Sequence, residues 1–157
     1  MKTKMVPDLE SSLAPWIGKT SKIVDYYLQD ALQQHGFILT KEQFVVLKKL
    51  HEKNGLNQNE LALLLYRDKS TMARLLAKME ERGLVRREQS DEDKRINKIY
   101  ITENGKTTFN RTLPVVNRII NVLEHNITQT EKEQIIDILK KVQSNLKRKS
   151  ALPQEQP

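Results

Sequence analysis

Residues 56–102, LNQNELALLLYRDKSTMARLLAKMEERGLVRREQSDEDKRINKIYIT, decide the fold. They read as two short helices joined by a tight turn, then a hairpin with a charged tip. The first helix opens on Asn57-Gln58-Asn59-Glu60, where the asparagine oxygen can accept from the third amide and the glutamate can reach back to the cap. It offers Leu61, Ala62, Leu64 and Leu65 to a core and closes near Tyr66-Arg67. Asp68 caps the second helix, which runs to Arg82 with Gly83 as a left-handed terminator. Met72, Leu75, Leu76 and Met79 form its inward stripe. Ser70, Thr71, Arg74 and Lys78, beside the small Ala73 and Ala77, are left on the outer face. Residues 84–88 and 97–102 read as strands, the second alternating Ile99 and Ile101 with Lys98 and Tyr100. The loop of residues 89–96 has no apolar residue before Ile96 and should project into solvent or onto a partner.

Outward from this unit the chain is helical. Upstream, Thr40-Lys41-Glu42-Gln43 is another capping box, opening a helix that buries Phe44, Leu47 and Leu50 and ends at Asn54-Gly55. Before it, apolar residues at helical spacing from Leu9 to Leu32 predict one long helix between a start at Pro7-Asp8 and a stop at Gly36. Downstream, Thr102 caps a helix beginning near Gly105, with Phe109, Leu113, Val116, Ile120 and Leu123 inward and a kink expected at Pro114. Thr128-Gln129-Thr130-Glu131 opens the last helix, and residues 150–157 read as a polar, disordered tail. The fold class is therefore mainly α with a small β-hairpin wing.

Composition narrows the function. The chain has 157 residues, 27 Lys and Arg against 20 Asp and Glu, a formal charge of +7 and no cysteine. Disulfides, cysteine-ligated metal, thiol catalysis and cysteine-based redox sensing are thereby excluded. No apolar run is long enough to span a bilayer, and the first residues lack a secretory core, so a cytoplasmic protein without a membrane partner is expected. His35, His51 and His125 are scattered, and there is neither a Ser/His/Asp set nor a glycine-rich phosphate loop. No enzyme, cofactor or metal is expected. The basic balance suits a polyanion.

Helix, turn, helix and charged hairpin is the order of a winged helix-turn-helix. A recognition helix inserts its N-terminal residues into the major groove, where the Ser70 and Thr71 hydroxyls and the Arg74 guanidinium have the reach to read base edges. Lys78, one turn on, suits a phosphate. At the hairpin tip, Asp93 can hold Arg95 in an extended pose for a narrow minor groove, with Lys94 between them. A solvated tip of mixed charge is the competing reading.

LTKEQFVVLKKL, NQNELALLLYRDKSTMARLLAKMEERGLVRR and SDEDKRINKIYITENGK together resemble the multiple-antibiotic-resistance regulator (MarR) family of bacterial transcription factors. The resemblance is strong over residues 39–106. It implies a winged helix-turn-helix lobe at 39–106, dimerisation helices at 1–38 and 107–149, and a homodimer on a pseudo-palindromic operator in double-stranded DNA, acting as a repressor. By position it carries Ser70, Thr71, Arg74 and Lys78 to the major groove and Asp93, Lys94 and Arg95 to the wing. Asn57 stands where the family usually has threonine or serine, and Lys94 replaces a common arginine. Many relatives bind small phenolic or aromatic acids between the dimerisation helices and the lobe, which makes Trp16, Tyr26, Tyr27, His35, Phe44 and His51 candidate lining residues. Each of these could instead be a core aromatic at helical spacing. A winged-helix protein-interaction module without specific DNA binding is the alternative function.

Overall fold

The computed structural model describes residues 6–147. Six helices, α1 (Leu13–Gln34), α2 (Lys41–Glu52), α3 (Gln58–Leu64), α4 (Lys69–Glu81), α5 (Glu103–Leu123) and α6 (Gln129–Lys147), surround three strands, β1 (Leu56–Asn57), β2 (Val85–Gln89) and β3 (Asn97–Ile101). The expected tail at 150–157 lies outside the described residues. No helix among those described is long and apolar enough to cross a membrane.

The helix starts follow from side chains competing for free amides. Thr40 and Asn57 each form a complete capping box, with Gln43 and Glu60 as the returning partners. Asp68 and Thr102 accept from the amides of Thr71 and Gly105. Gly83 takes a positive φ of 67° and ends α4 in a Schellman motif, its N–H donating to Glu80 O and that of Leu84 to Met79 O. The turn between α3 and α4 has the same bonding, but Tyr66 rather than glycine occupies the left-handed position, at φ 54°.

Four expectations change. The first helix begins at Leu13, not Leu9, because Asp8 caps an isolated turn through the amides of Glu10 and Ser11. Pro15 adds a reason: proline lacks the amide and crowds the preceding turn, so it is tolerated only within the first turn of a helix. The hairpin gains a third strand, since Leu56 and Asn57 pair antiparallel with Ile99 and Lys98 and give the sheet order β1-β3-β2. Leu64 is 51% exposed, because α3 buries Leu61 and Ala62, with the half-buried Leu65 just past its end on the same side, and Leu64 falls outside that arc. Lastly, Ile120 and Leu123 are exposed rather than inward, whereas Thr102 caps α5 as expected and Pro114 lies inside that helix.

Two apolar clusters organise the packing. The larger joins α2, α3, α4, the sheet and the start of α5 around Leu47, Leu50, Leu61, Met72, Leu76, Ile99 and Phe109. In the smaller, Leu28 and Leu32 of α1 meet Val115 of α5, with Phe37 and Val116 touching both clusters. α5 is therefore shared: Gly105 and Phe109 belong to the lobe and Val115 to the helical base, so a boundary at residue 106 falls inside one helix. No residue of α6 whose burial is described, 129–146, is buried, although Ile135, Ile136 and Ile138 recur along it.

Candidate nucleic-acid interface

α4 presents its N-terminal end outward. Asp68 accepts from the Thr71 amide at 2.7 Å and the Thr71 hydroxyl at 2.8 Å, which fixes the first turn and holds the Asp68 carboxyl below the ordinary aspartate range. Thr71 Oγ1 keeps acceptor capacity, and Arg74 Nη2 lies 3.5 Å from it. Ser70, Arg74 and Lys78 are exposed and Thr71 is half-buried. The four residues thus form one face, opposite Met72, Leu76 and Met79.

The wing closes by its own backbone: Ser90 N–H donates to Ile96 O, and Ile96 N–H donates to Asp93 O. Asp93 grips Arg95 as a fork, with Nε to Oδ1 and Nη2 to Oδ2 both at 3.1 Å. The Arg95 side chain is nevertheless 90% exposed, so its guanidinium is oriented without being sequestered. Lys94 beside it is exposed.

The bond to Arg95 pulls the Asp93 carboxyl below the ordinary aspartate range. A depressed folded value favours the charged form, so this contribution is present above the unfolded-state value and is lost as pH falls through the folded one. A carboxyl carbon titration by NMR should find Asp93 protonating below the ordinary aspartate range, and Asp93 in an Arg95→Ala protein moving back toward it. An Asp93 titration that Arg95→Ala leaves unchanged would contradict the fork.

A cleft of about 790 Å³ lies between α1, the start of α2 and the helix-turn-helix. Lys22, Tyr26 and Gln29 line one side, Lys41 and Gln43 the floor, and Arg67, Thr71, Arg74 and Lys78 the other side. Lys41 is paired with Asp25 at 2.5 Å and Arg67 with Glu42. Lys22, Arg74 and Lys78 make no ion pair among the described residues, so the cleft keeps cationic character.

The six aromatic and histidine candidates do not share this cavity. Tyr26 lines it, while Tyr27 stands edge-on to Tyr26 and exposed. Trp16 is exposed near the chain start, its indole N–H donating to Glu10 O. His35 ends α1, with Nδ1 against Ala31 O and Nε2 against Arg118. Phe44 is core, stacked on Phe109, and His51 tilts against the same ring. Aromatic type alone did not mark the lining. Lys22 and Arg67 were missed because no spacing relates residues so distant in the chain.

Comparison with known proteins agrees with this fold. Residues 39–96 match the sequence model of the MarR family. Transcriptional regulator HosA of Escherichia coli O157:H7 is 31% identical over 104 residues, covering 66% of this chain and 77% of that protein. The uncharacterised HTH-type transcriptional regulator YybA of Bacillus subtilis (strain 168) is 30% identical over 110 residues, 70% of this chain and 73% of that one. Among solved structures, a MarR protein from Peptoclostridium difficile superposes with a TM-score of 0.80 at 25% identity, covering 95% of this chain and 96% of that one. By these matches the chain belongs to the MarR family of winged-helix transcriptional regulators, which bind DNA and are not enzymes.

Proposed function

We propose that the chain is a cytoplasmic repressor that binds a pseudo-palindromic operator as a homodimer. Ser70, Thr71 and Arg74 read the major groove, Lys78 meets a phosphate, and Asp93 aims Arg95, with Lys94 beside it, at the adjacent minor groove. The observation that carries the reading is the bidentate Asp93–Arg95 fork at a 90% exposed tip, since an oriented yet unburied guanidinium is prepared for an anion outside the chain. A recognition helix offering short hydroxyls and an arginine supports the same partner.

Dimerisation is supported by apolar surface that this chain does not cover. Leu13, Trp16 and Tyr27 on α1, Ile120 and Leu123 on α5, and Ile135, Ile136 and Ile138 on α6 are all exposed. Patches of this extent are characteristic of association sites. A shared base built from them would hold two recognition helices about 34–36 Å apart, one turn of B-DNA. Residues 1–38 and 107–149 would supply it, with 39–106 as the reading lobe.

The cleft supports release by a small phenolic or aromatic acid. Lys22, Arg74 and Lys78 provide charge for a carboxylate, and Tyr26 provides a ring. Trp16, Tyr27, His35, Phe44 and His51 stand outside this proposal. Thr71, Arg74 and Lys78 would serve both ligand and operator, so the two should exclude each other, and by linkage the exclusion is reciprocal. Arg74→Ala should relax base preference by about 1–3 kcal/mol at one position and also weaken benzoate binding. Fluorescence anisotropy for DNA and calorimetry for benzoate check both arms. Equal benzoate affinity for free and operator-bound protein would contradict the shared site.

A further inference from the structure

Arg87 occupies an inward position of β2, two residues after the buried Val85, where strand periodicity asks for an apolar side chain. An arginine there must find partners on the packed side, and it does. Its Nη2 donates to the carbonyl oxygen of Ala73 at 3.3 Å, in the middle of α4. Its backbone N–H donates to Glu80 Oε2 at 3.1 Å, one face further along the same helix. Its Nε lies 3.9 Å from Glu80 Oε1, is buried and makes no hydrogen bond. Two contacts about two turns apart on α4 therefore converge on one residue of the wing.

We propose that Arg87 is a positioning residue that fixes the angle between α4 and the wing, so that major-groove and minor-groove contacts act as one rigid reader. The inference rests on the proposed roles of Arg74 and Arg95. Groove-reading groups have to be held to about 0.5 Å, and the apolar contacts of Leu76 and Met79 resist separation of α4 from the sheet better than they resist sliding, because packing is non-directional. The planar guanidinium supplies the missing direction, since its Nη2 donates to the Ala73 carbonyl while its Nε faces the Glu80 carboxylate as an ion pair, beside the backbone N–H that already holds Glu80. The unmet Nε beside Glu80 gives the clamp room to tighten without new residues. Arg87 itself is turned toward the protein, so it is not a phosphate contact.

The test compares native protein, Arg87→Gln and Arg87→Lys, each with and without Arg95→Ala. The probes are the duplex that the native protein enriches most from a random pool and a scrambled duplex of the same composition. Arg95→Ala should weaken binding about tenfold in the native background and no more than about twofold in the Arg87→Gln background, because a wing free to slide no longer delivers Arg95. Arg87→Gln should lower the ratio of enriched to scrambled affinity while the salt slope changes by less than about 0.9, the value of one lost phosphate contact. Arg87→Lys should fall between, having charge but no fork. The same tenfold loss in both backgrounds overturns the clamp, as does a reduced melting temperature with an unchanged affinity ratio. If Arg95→Ala has no effect even in the native background, the wing assignment fails instead, and the affinity ratio of Arg87→Gln then decides the clamp alone.

Discussion

Arg95→Ala should weaken operator binding about tenfold, the loss expected when one oriented guanidinium is withdrawn from a groove, and should flatten the salt dependence by about 0.9 in log–log slope. Both effects follow from geometry already present without DNA. Asp93 holds the guanidinium through two 3.1 Å bonds while leaving it 90% exposed. Ordering the long side chain in advance reduces the rotamer entropy lost on binding. Asp93→Ala should therefore reproduce part of the loss while adding a net positive charge. A purely electrostatic wing would gain affinity on losing an acidic residue, so the sign for Asp93→Ala separates orientation from charge. Anisotropy titrations over a range of salt concentrations give both slopes.

Gly105→Ala should destabilise the fold more than any other single methyl addition considered. A Cβ at this position would stand 2.1 Å from the Leu84 carbonyl oxygen and 2.8 Å from Ile101 Cγ1. The obstacle is main chain, at the junction of α4 and β2 against the start of α5, so it cannot swing aside as a side-chain tip could. Overpacking of this kind costs about 1–3 kcal/mol and occasionally more, and the main-chain obstacle puts this position at the upper end. Alanine's better helix propensity returns only about 1 kcal/mol. The melting temperature should fall by about 5 °C or more, given a few degrees per kcal/mol in a chain of this size. By contrast Gly55, whose missing Cβ would meet the Tyr100 ring at 3.0 Å, is constrained chiefly by its positive φ of 79°. An unchanged melting temperature in Gly105→Ala would refute the close packing of α5 against residue 84.

Much of the fold was legible because its boundaries are written in local chemistry. Thr40, Asn57 and Thr128 announce helix starts through side chains that satisfy free amides within three residues, and each does so in the structure. The hairpin was legible through the alternation at Ile99 and Ile101, and the wing fork through the two-residue spacing of Asp93 and Arg95. What was not legible depended on distant partners. β1 is two residues long and exists only because β3 runs beside it. The start of α1 turned on Asp8 and Pro15 overriding an apolar pattern that continues upstream. The cationic cleft unites Lys22, Arg67 and Arg74 from three elements, and the inward place of Arg87 was not legible because its partners Ala73 and Glu80 lie on another element. Exposure of Ile120 and Leu123 reflects a helix whose second half outruns the chain's own core.

Selection of duplexes bound by the purified protein from a random-sequence pool tests the account most directly. Two copies sharing a helical base, each placing Arg74 in a major groove and Arg95 in the neighbouring minor groove, should enrich an inverted repeat with half-site centres about one helical turn apart. Enrichment should be lost or relaxed at one position per half-site with Arg74→Ala. A pool that yields no shared motif, or a motif without two-fold symmetry, would contradict the reading of this chain as a paired groove reader.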